Sequence, residues 1–209
     1  MSLTTDVETP LGPARTHGDE PAGRPRGTLV LGHGAGGGIE AVDLVVLAQE
    51  ASAAGWRVLR VEQPWRVAGK RVAPAPARLD QAWTAVLWHL RDALGTDGPL
   101  VLGGRSAGAR VACRTAAPLR ADGVLALAFP LHPPGRPERS RAEELTAVPV
   151  PLLVVQGERD AFGAPARVVE ALHGRPAASV YAVPGDHGLK AKPAVVAAAA
   201  VSWLTETFG

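Results

Sequence analysis

Leu100-Val101-Leu102-Gly103-Gly104-Arg105-Ser106-Ala107-Gly108-Ala109-Arg110 reads as a short apolar strand running through a Gly-x-Ser-x-Gly pentapeptide into a run with helical spacing. A serine at such a junction occupies a turn sharp enough to strain its backbone, and a bulky side chain two residues to either side would collide as strand folds into helix. The Ser106 hydroxyl is therefore expected to stand above the carboxyl end of the strand Leu100 to Gly103. A glycine-rich chain produces such pentapeptides by chance, and a serine capping an ordinary loop is the plain alternative. The strand before Ser106 and the helix expected from Ala107 to Ala117 favour the elbow.

Outward from this junction, short β-branched runs alternate with longer helical stretches, punctuated by Gly and Pro. Strands are expected at Thr28 to Leu31, Trp56 to Glu62, Gly123 to Phe129, Leu152 to Gln156 and Ser179 to Val183. Helices are expected from about Ala41 to Ala54, Ala77 to Leu94, Pro165 to Leu172 and Ala194 to Thr207, with Gly55 ending the first and Gly95 to Gly98 turning the chain after the second. Alternation of this kind implies a mostly parallel sheet with helices on both faces, a three-layer α/β/α sandwich. The near-continuous apolar run from Gly123 to Phe129 belongs at its covered centre. No repeat or linker divides residues 1–209, so one domain is expected, with residues 1–27 an N-terminal extension or edge hairpin. Residues 64–76 read as a Pro-rich basic loop carrying Trp65, Arg66, Lys70 and Arg71. Residues 131–149 form a polar, Pro-rich excursion with room for one helix at Arg139 to Leu145.

Composition narrows the function classes. With 46% hydrophobic and 20% charged residues, the 209-residue chain can bury a real core, which excludes fibrous and disordered classes. Its 22 basic and 20 acidic side chains leave a net charge of +2, too balanced for a nucleic-acid partner. A lone cysteine, Cys113, excludes an internal disulfide and a Cys-based zinc site, and suits a reducing compartment. Met1 to Thr9 lacks a basic, apolar leader. The apolar run Pro193 to Leu204 is shorter than the roughly 20 residues of a membrane span. A cytoplasmic location with no membrane partner is expected.

A serine hydroxyl is a weak nucleophile until a base takes its proton, and that base is usually a histidine oriented by a buried carboxylate. Gly157-Glu158-Arg159-Asp160 follows one expected strand, and Pro184-Gly185-Asp186-His187-Gly188 follows another. Parallel topology puts Ser106, Asp160 and His187 on one edge of the sheet, where such folds keep their ligand sites. Singly, His187 would be a loop histidine and Asp160 a turn residue; jointly they read as base and orienting acid. Glu158 and Asp186 are the competing acids. Asp160 is preferred over Asp186 because a residue adjacent in sequence reaches the back of the same imidazole with difficulty.

An acyl-transfer oxyanion needs backbone N–H donors. Leu31-Gly32-His33-Gly34-Ala35-Gly36-Gly37-Gly38 ends a strand in small residues, and the amides of Ala35 and Ala107 are the candidate donors. His33 is expected to position this loop. Gly32, Gly34 and Gly37 also satisfy Gly-x-Gly-x-x-Gly, and Glu62 ends the next strand as a ribose-binding acid would. That dinucleotide reading leaves Ser106, Asp160 and His187 without a role.

Taken together, Gly-His-Gly-Ala-Gly-Gly at 32–37, Gly-Arg-Ser-Ala-Gly-Ala-Arg at 104–110, Phe-Pro-Leu-His-Pro-Pro-Gly at 129–135, Gln-Gly-Glu-Arg-Asp-Ala-Phe-Gly at 156–163 and Gly-Asp-His at 185–187 carry a resemblance. From about Thr28 onward the chain resembles the small α/β-hydrolases of the testis-expressed-protein and NSL-complex-subunit type, relatives of dienelactone hydrolases. The resemblance implies an α/β-hydrolase fold and a Ser106, His187, Asp160 triad in the family's chain order, and says little about substrate.

Around the site, Arg105, His132 and Trp65 are candidate substrate-binding residues. Arg105 and Arg110 could hold a substrate carboxylate or phosphate, or only brace loops. Trp83, Trp88 and Cys113 read as packing residues. Residues 131–149 stand where larger relatives insert a cap domain, and they are too few to enclose a long acyl chain. An open site, minimally capped, is therefore expected. The reading that follows is a carboxylesterase-like serine hydrolase for small acyl esters or thioesters, needing no metal or organic cofactor, as a monomer or homodimer. The competing reading is a hydrolase-like scaffold that keeps the fold and binds partners.

Overall fold

The computed structural model describes residues 2–94 and 98–209, so the turn expected at Gly95 to Gly98 lies mostly outside the described residues. In chain order the elements are β1 (Ser2–Val7), β2 (Ala14–Asp19), β3 (Thr28–Gly32), α1 (Val42–Ala53), β4 (Arg57–Glu62), α2 (Pro64–Val67), α3 (Pro76–Leu94), β5 (Leu100–Arg105), α4 (Ala107–Thr115), β6 (Gly123–Leu127), α5 (Ala142–Thr146), β7 (Leu152–Gly157), α6 (Pro165–Ala171), β8 (Ala178–Val183) and α7 (Pro193–Phe208). The strands form one sheet in the order β1-β2-β4-β3-β5-β6-β7-β8. From β4 to β8 every neighbouring pair is parallel. The β1–β2 hairpin is antiparallel and adds to the β4 edge, also antiparallel.

Parallel strands joined by helical crossovers are covered on both faces, which is why every residue of β6 and β7 is buried. On one face Trp83 and Leu87 of α3, Ala109 and Ala112 of α4, Leu145 of α5 and Val168 of α6 belong with Trp65 to one apolar cluster. The other face carries Leu44, Leu47 and Ala51 of α1 against Val196, Ala200 and Leu204 of α7. The result is the three-layer α/β/α sandwich. Burial of each such leucine or valine contributes about 1.5–3 kcal/mol against the entropy of ordering the chain.

Local differences from the sequence reading have local causes. Residues 64–76 open with the one-turn α2, because Pro64 stands at its first position, where a missing N–H leaves no bond unmade. Trp56 precedes β4 because its N–H is bonded to Ala51 O at the end of α1. β6 ends at Leu127, and Ala128 turns the chain with φ 45° before Phe129 can extend the strand. The helix expected from Arg139 begins at Ala142. The preceding N–H groups are committed to turns, Arg139 to Arg136 O and Arg141 to Leu131 O.

Candidate active site

Ser106 sits between β5 and α4 with φ 54° and ψ −107°, a left-handed conformation that few residues with a Cβ adopt. Its N–H is held by Leu127 O of the neighbouring strand at 2.9 Å, and the surrounding packing maintains the strain. The flanking glycines are required by contact with β3. A Cβ at Gly104 would lie 2.4 Å from Gly32 O, and one at Gly108 2.3 Å from the same atom.

Because β5, β7 and β8 run in one direction, the loops after them meet at one edge of the sheet. Ser106 Oγ lies 2.9 Å from His187 Nε2. On the other side of the ring, Nδ1 lies 2.8 Å from Asp160 Oδ2 and 3.1 Å from Oδ1. Asp160's side chain is fully buried, whereas that of His187 keeps about a fifth of its surface exposed. A buried carboxylate bonded at Nδ1 favours the tautomer with its proton there, leaving Nε2 free to accept from the hydroxyl. Glu158 and Asp186 are exposed, and Asp186 Oδ1 instead accepts the Gly188 N–H at 2.8 Å. The structure thus joins His187 to Asp160 among the three acids considered.

Two supports are absent from the sequence reading. Gln156, fully buried at the end of β7, donates through Nε2 to Asp160 Oδ2 at 2.9 Å and to Gly163 O at 2.8 Å, while its Oε1 accepts the Phe129 N–H at 2.9 Å. Phe162 donates its N–H to Asp160 Oδ1 at 2.8 Å and stacks its ring on the His187 imidazole, centroids 4.1 Å apart. The Gln-Gly-Glu-Arg-Asp-Ala-Phe string holds all three residues; its acid drew attention, and the side chains that fix the acid did not.

The loop after β3 reaches Ser106. A Cβ on Gly34 would lie 3.5 Å from Ser106 Cβ. His33 is buried, its Nδ1 bonded to Gly34 O at 2.9 Å and its Nε2 accepting the Gln63 N–H at 3.2 Å, so it holds this loop as a neutral imidazole. Burial pushes its pKa below the ordinary 6.5. Ala35 follows in the same loop, and Ala107 opens α4, where its N–H has no acceptor within the helix. The helix after the glycine loop starts only at Val42, outside Gly-x-Gly-x-x-Gly, so no helix N-terminus stands within the glycines to receive a pyrophosphate.

The remaining candidates fall into different places. Arg105 lies 3.2 Å from the buried Asp43 at Nε and donates from Nη2 to the His187 carbonyl at 3.2 Å. Arg110 and Arg114 join α4 to Glu144 of α5, and Arg114 also pairs with Asp80 of α3. His132 donates its N–H to Phe162 O at 3.0 Å, beside the ring that stacks on His187. Trp65 is buried, its ring centroid 5.5 Å from that of His33. Cys113 is buried, and desolvation pushes its thiol up to about 12, so it packs and does not react. Among the described residues no helix is long and apolar enough to cross a membrane, and no group of three or more His, Cys, Asp or Glu side chains could hold a metal ion.

A parallel-sheet sandwich with a strained serine at the β5–α4 turn defines a class, and the comparisons agree with it: the chain belongs to the α/β hydrolase domain family, whose match spans residues 25–201. Solved structures share the fold. An alpha-beta serine hydrolase homologue from Coxiella burnetii superposes with a TM-score of 0.82 at 18% identity, covering 97% of each chain. An α/β serine hydrolase without a lid from Xanthomonas campestris gives 0.82 at 22% identity, covering 98% of this chain and 94% of that one. A dienelactone hydrolase from Anabaena variabilis gives 0.77 at 18% identity over 100% and 99% of the two chains.

Proposed function

We propose that this chain is a serine hydrolase that cleaves small acyl esters or thioesters through an acyl-enzyme. The observation that carries the reading is the continuous relay from Ser106 Oγ to His187 Nε2 at 2.9 Å and from His187 Nδ1 to Asp160 Oδ2 at 2.8 Å. Ser106 Oγ attacks the acyl carbon as His187 Nε2 takes its proton, and Asp160 stabilises the resulting imidazolium. The carbonyl electrons move to an oxyanion received by the Ala35 and Ala107 amides. Collapse of the tetrahedral species breaks the bond to the leaving alcohol or thiol, which departs with the proton from His187. Water, deprotonated by the same imidazole, then releases the acid and restores Ser106.

A small substrate is favoured by the segment 131–149. Leu145 and Val148 are buried in the core, and Glu144 is paired with Arg110 and Arg114, so α5 is engaged with the body of the fold. A panel of p-nitrophenyl esters from acetyl to octanoyl, with an acetyl thioester, tests the reading. Turnover should be highest for the shortest acyl groups and fall by at least about 10³-fold in Ser106→Ala. Turnover of none of them by the folded protein would overturn it.

A further inference from the structure

The main chain of His187 is tied to the body of the fold through a side chain. Among the described residues neither its N–H nor its carbonyl takes part in a backbone–backbone hydrogen bond, although its neighbours do: Gly185 O accepts the Arg159 N–H at 2.9 Å, and the Leu189 N–H is bonded to Asp186 O at 3.2 Å. The His187 carbonyl instead accepts from Arg105 Nη2 at 3.2 Å. Any shift of this peptide would carry the imidazole with it.

Arg105 is placed to hold more than this one group. It ends β5 and directly precedes Ser106. Its Nε lies 3.2 Å from Oδ2 of the buried Asp43, which stands in the first turn of α1. Its Nη1 lies against the loop after β3, where a Cβ added to Gly34 would be 3.4 Å from it and one added to Gly37 3.7 Å. Ala35, the proposed oxyanion donor, lies between those two glycines in the chain. A guanidinium is planar and rigid, so its three nitrogens hold a fixed spacing among the groups they meet.

We propose that Arg105 is a positioning residue for the hydrolysis, acting through His187 and the loop after β3 and not on the substrate. The inference rests on the hydrolase reading above. The guanidinium fixes the His187 peptide so that Nε2 meets Ser106 Oγ, and it braces the loop that presents the Ala35 amide to the developing oxyanion. Asp43 holds the guanidinium at Nε and supplies the opposite charge that lets a cation remain buried there. Misplacement of a reacting group by about 1 Å costs on the order of 10² in rate, so the alignment is worth a side chain dedicated to it.

Arg105→Met alone strands the Asp43 carboxylate, so the test compares it with Arg105→Met combined with Asp43→Asn, in which no charge is stranded. Kinetics on p-nitrophenyl acetate, denaturant midpoints and fluorophosphonate labelling of Ser106 are measured for the parent and both variants. In the double variant the midpoint should move back toward that of the parent while kcat and kcat/KM both stay at least about tenfold low, the pattern of an interaction made in the transition state. Should the single variant not fold, the double variant is read directly against the parent. Parental kcat in the folded double variant overturns the inference, because Arg105 then serves only to neutralise Asp43. A loss confined to KM also overturns it, by placing the guanidinium on the substrate. In both of these cases a parent that labels at Ser106 and hydrolyses the ester leaves the hydrolase reading standing. A parent that does neither overturns both.

Discussion

Gln156 and Asp160, four residues apart across the end of β7, are bonded through Gln156 Nε2 and Asp160 Oδ2 at 2.9 Å, and neither side chain meets bulk solvent. The same amide grips the Phe129 N–H at 2.9 Å, tying the acid to the end of β6 next door. Asp160 is thus held by a group with no charge of its own, which keeps its orientation without neutralising it.

Gln156→Leu should therefore leave the Phe129 N–H without a partner and Asp160 Oδ2 with His187 alone. Stability should fall by about 1–3 kcal/mol, the cost of an unpaired buried polar group. Turnover should fall about 10-fold to 100-fold as His187 loses a fixed acid, a range typical of lost outer support at a site. Urea unfolding and p-nitrophenyl acetate kinetics on one preparation measure the two effects.

Asp160→Asn should preserve the fold and reduce kcat by about 10⁴, because an amide donating toward Nδ1 selects the wrong imidazole tautomer. Glu158 is exposed, with its N–H bonded to Val183 O, and Glu158→Gln should stay within about threefold of the parent. Steady-state kinetics of the two variants side by side decide which acid orients His187.

Arg105 and Asp43 form a pair whose side chains are 13% and 1% exposed. Burial pushes the Asp43 carboxyl above its usual value of 3.8, and Arg105 opposes that shift. Removing the cation in Arg105→Met should cost about 3 kcal/mol near neutral pH, the penalty for stranding a buried charge. The loss should shrink toward pH 4. A carboxyl with a raised native value binds its proton more tightly folded than unfolded, so acid relieves the charge as the protein remains native. Adding Asp43→Asn to the variant should recover part of the loss at neutral pH. Denaturant titrations at pH 7.5 and 4.5 test the sign.

His33 gives the opposite pH dependence. Its native imidazole titrates below the ordinary 6.5 because it is buried, so the unfolded chain takes up protons that the native state refuses. Its contribution is fully present above 6.5 and is lost as pH falls toward the depressed native value. His17, also lowered by burial, adds in the same direction. The melting temperature of the parent should fall on acidification from pH 7.5 to 5.5, and that of His33→Asn should fall less. Equal slopes would show that His33 is not held neutral.

Much of this was legible from residues, and the rest was hidden for physical reasons. The Gly-x-Ser-x-Gly junction carries its own context in the strand before it and the helix after it. Residues 100–117 could be read locally because the packing constraint on Gly104 and Gly108 is written in the glycines themselves. Asp160 and His187 were reachable by rule, since parallel topology collects loops on one edge. Gln156 and Asp43 were invisible because their roles depend on the partners facing them, Phe129 in one case and Arg105 in the other, which no spacing along the chain reveals. Arg105 was legible as a cation near Ser106, but the engagement of its guanidinium with Asp43 and the His187 carbonyl required the fold. The helix at Pro64 was obscured because proline reads as a breaker except at a first turn.

Covalent capture reads the activation of Ser106 itself. Intact-mass and peptide analysis after treatment with a fluorophosphonate should find a single adduct, on Ser106, absent in Ser106→Ala and formed at least about 10²-fold more slowly in His187→Gln. A folded protein that takes up no probe, or takes it up equally fast without the imidazole at 187, would contradict the account.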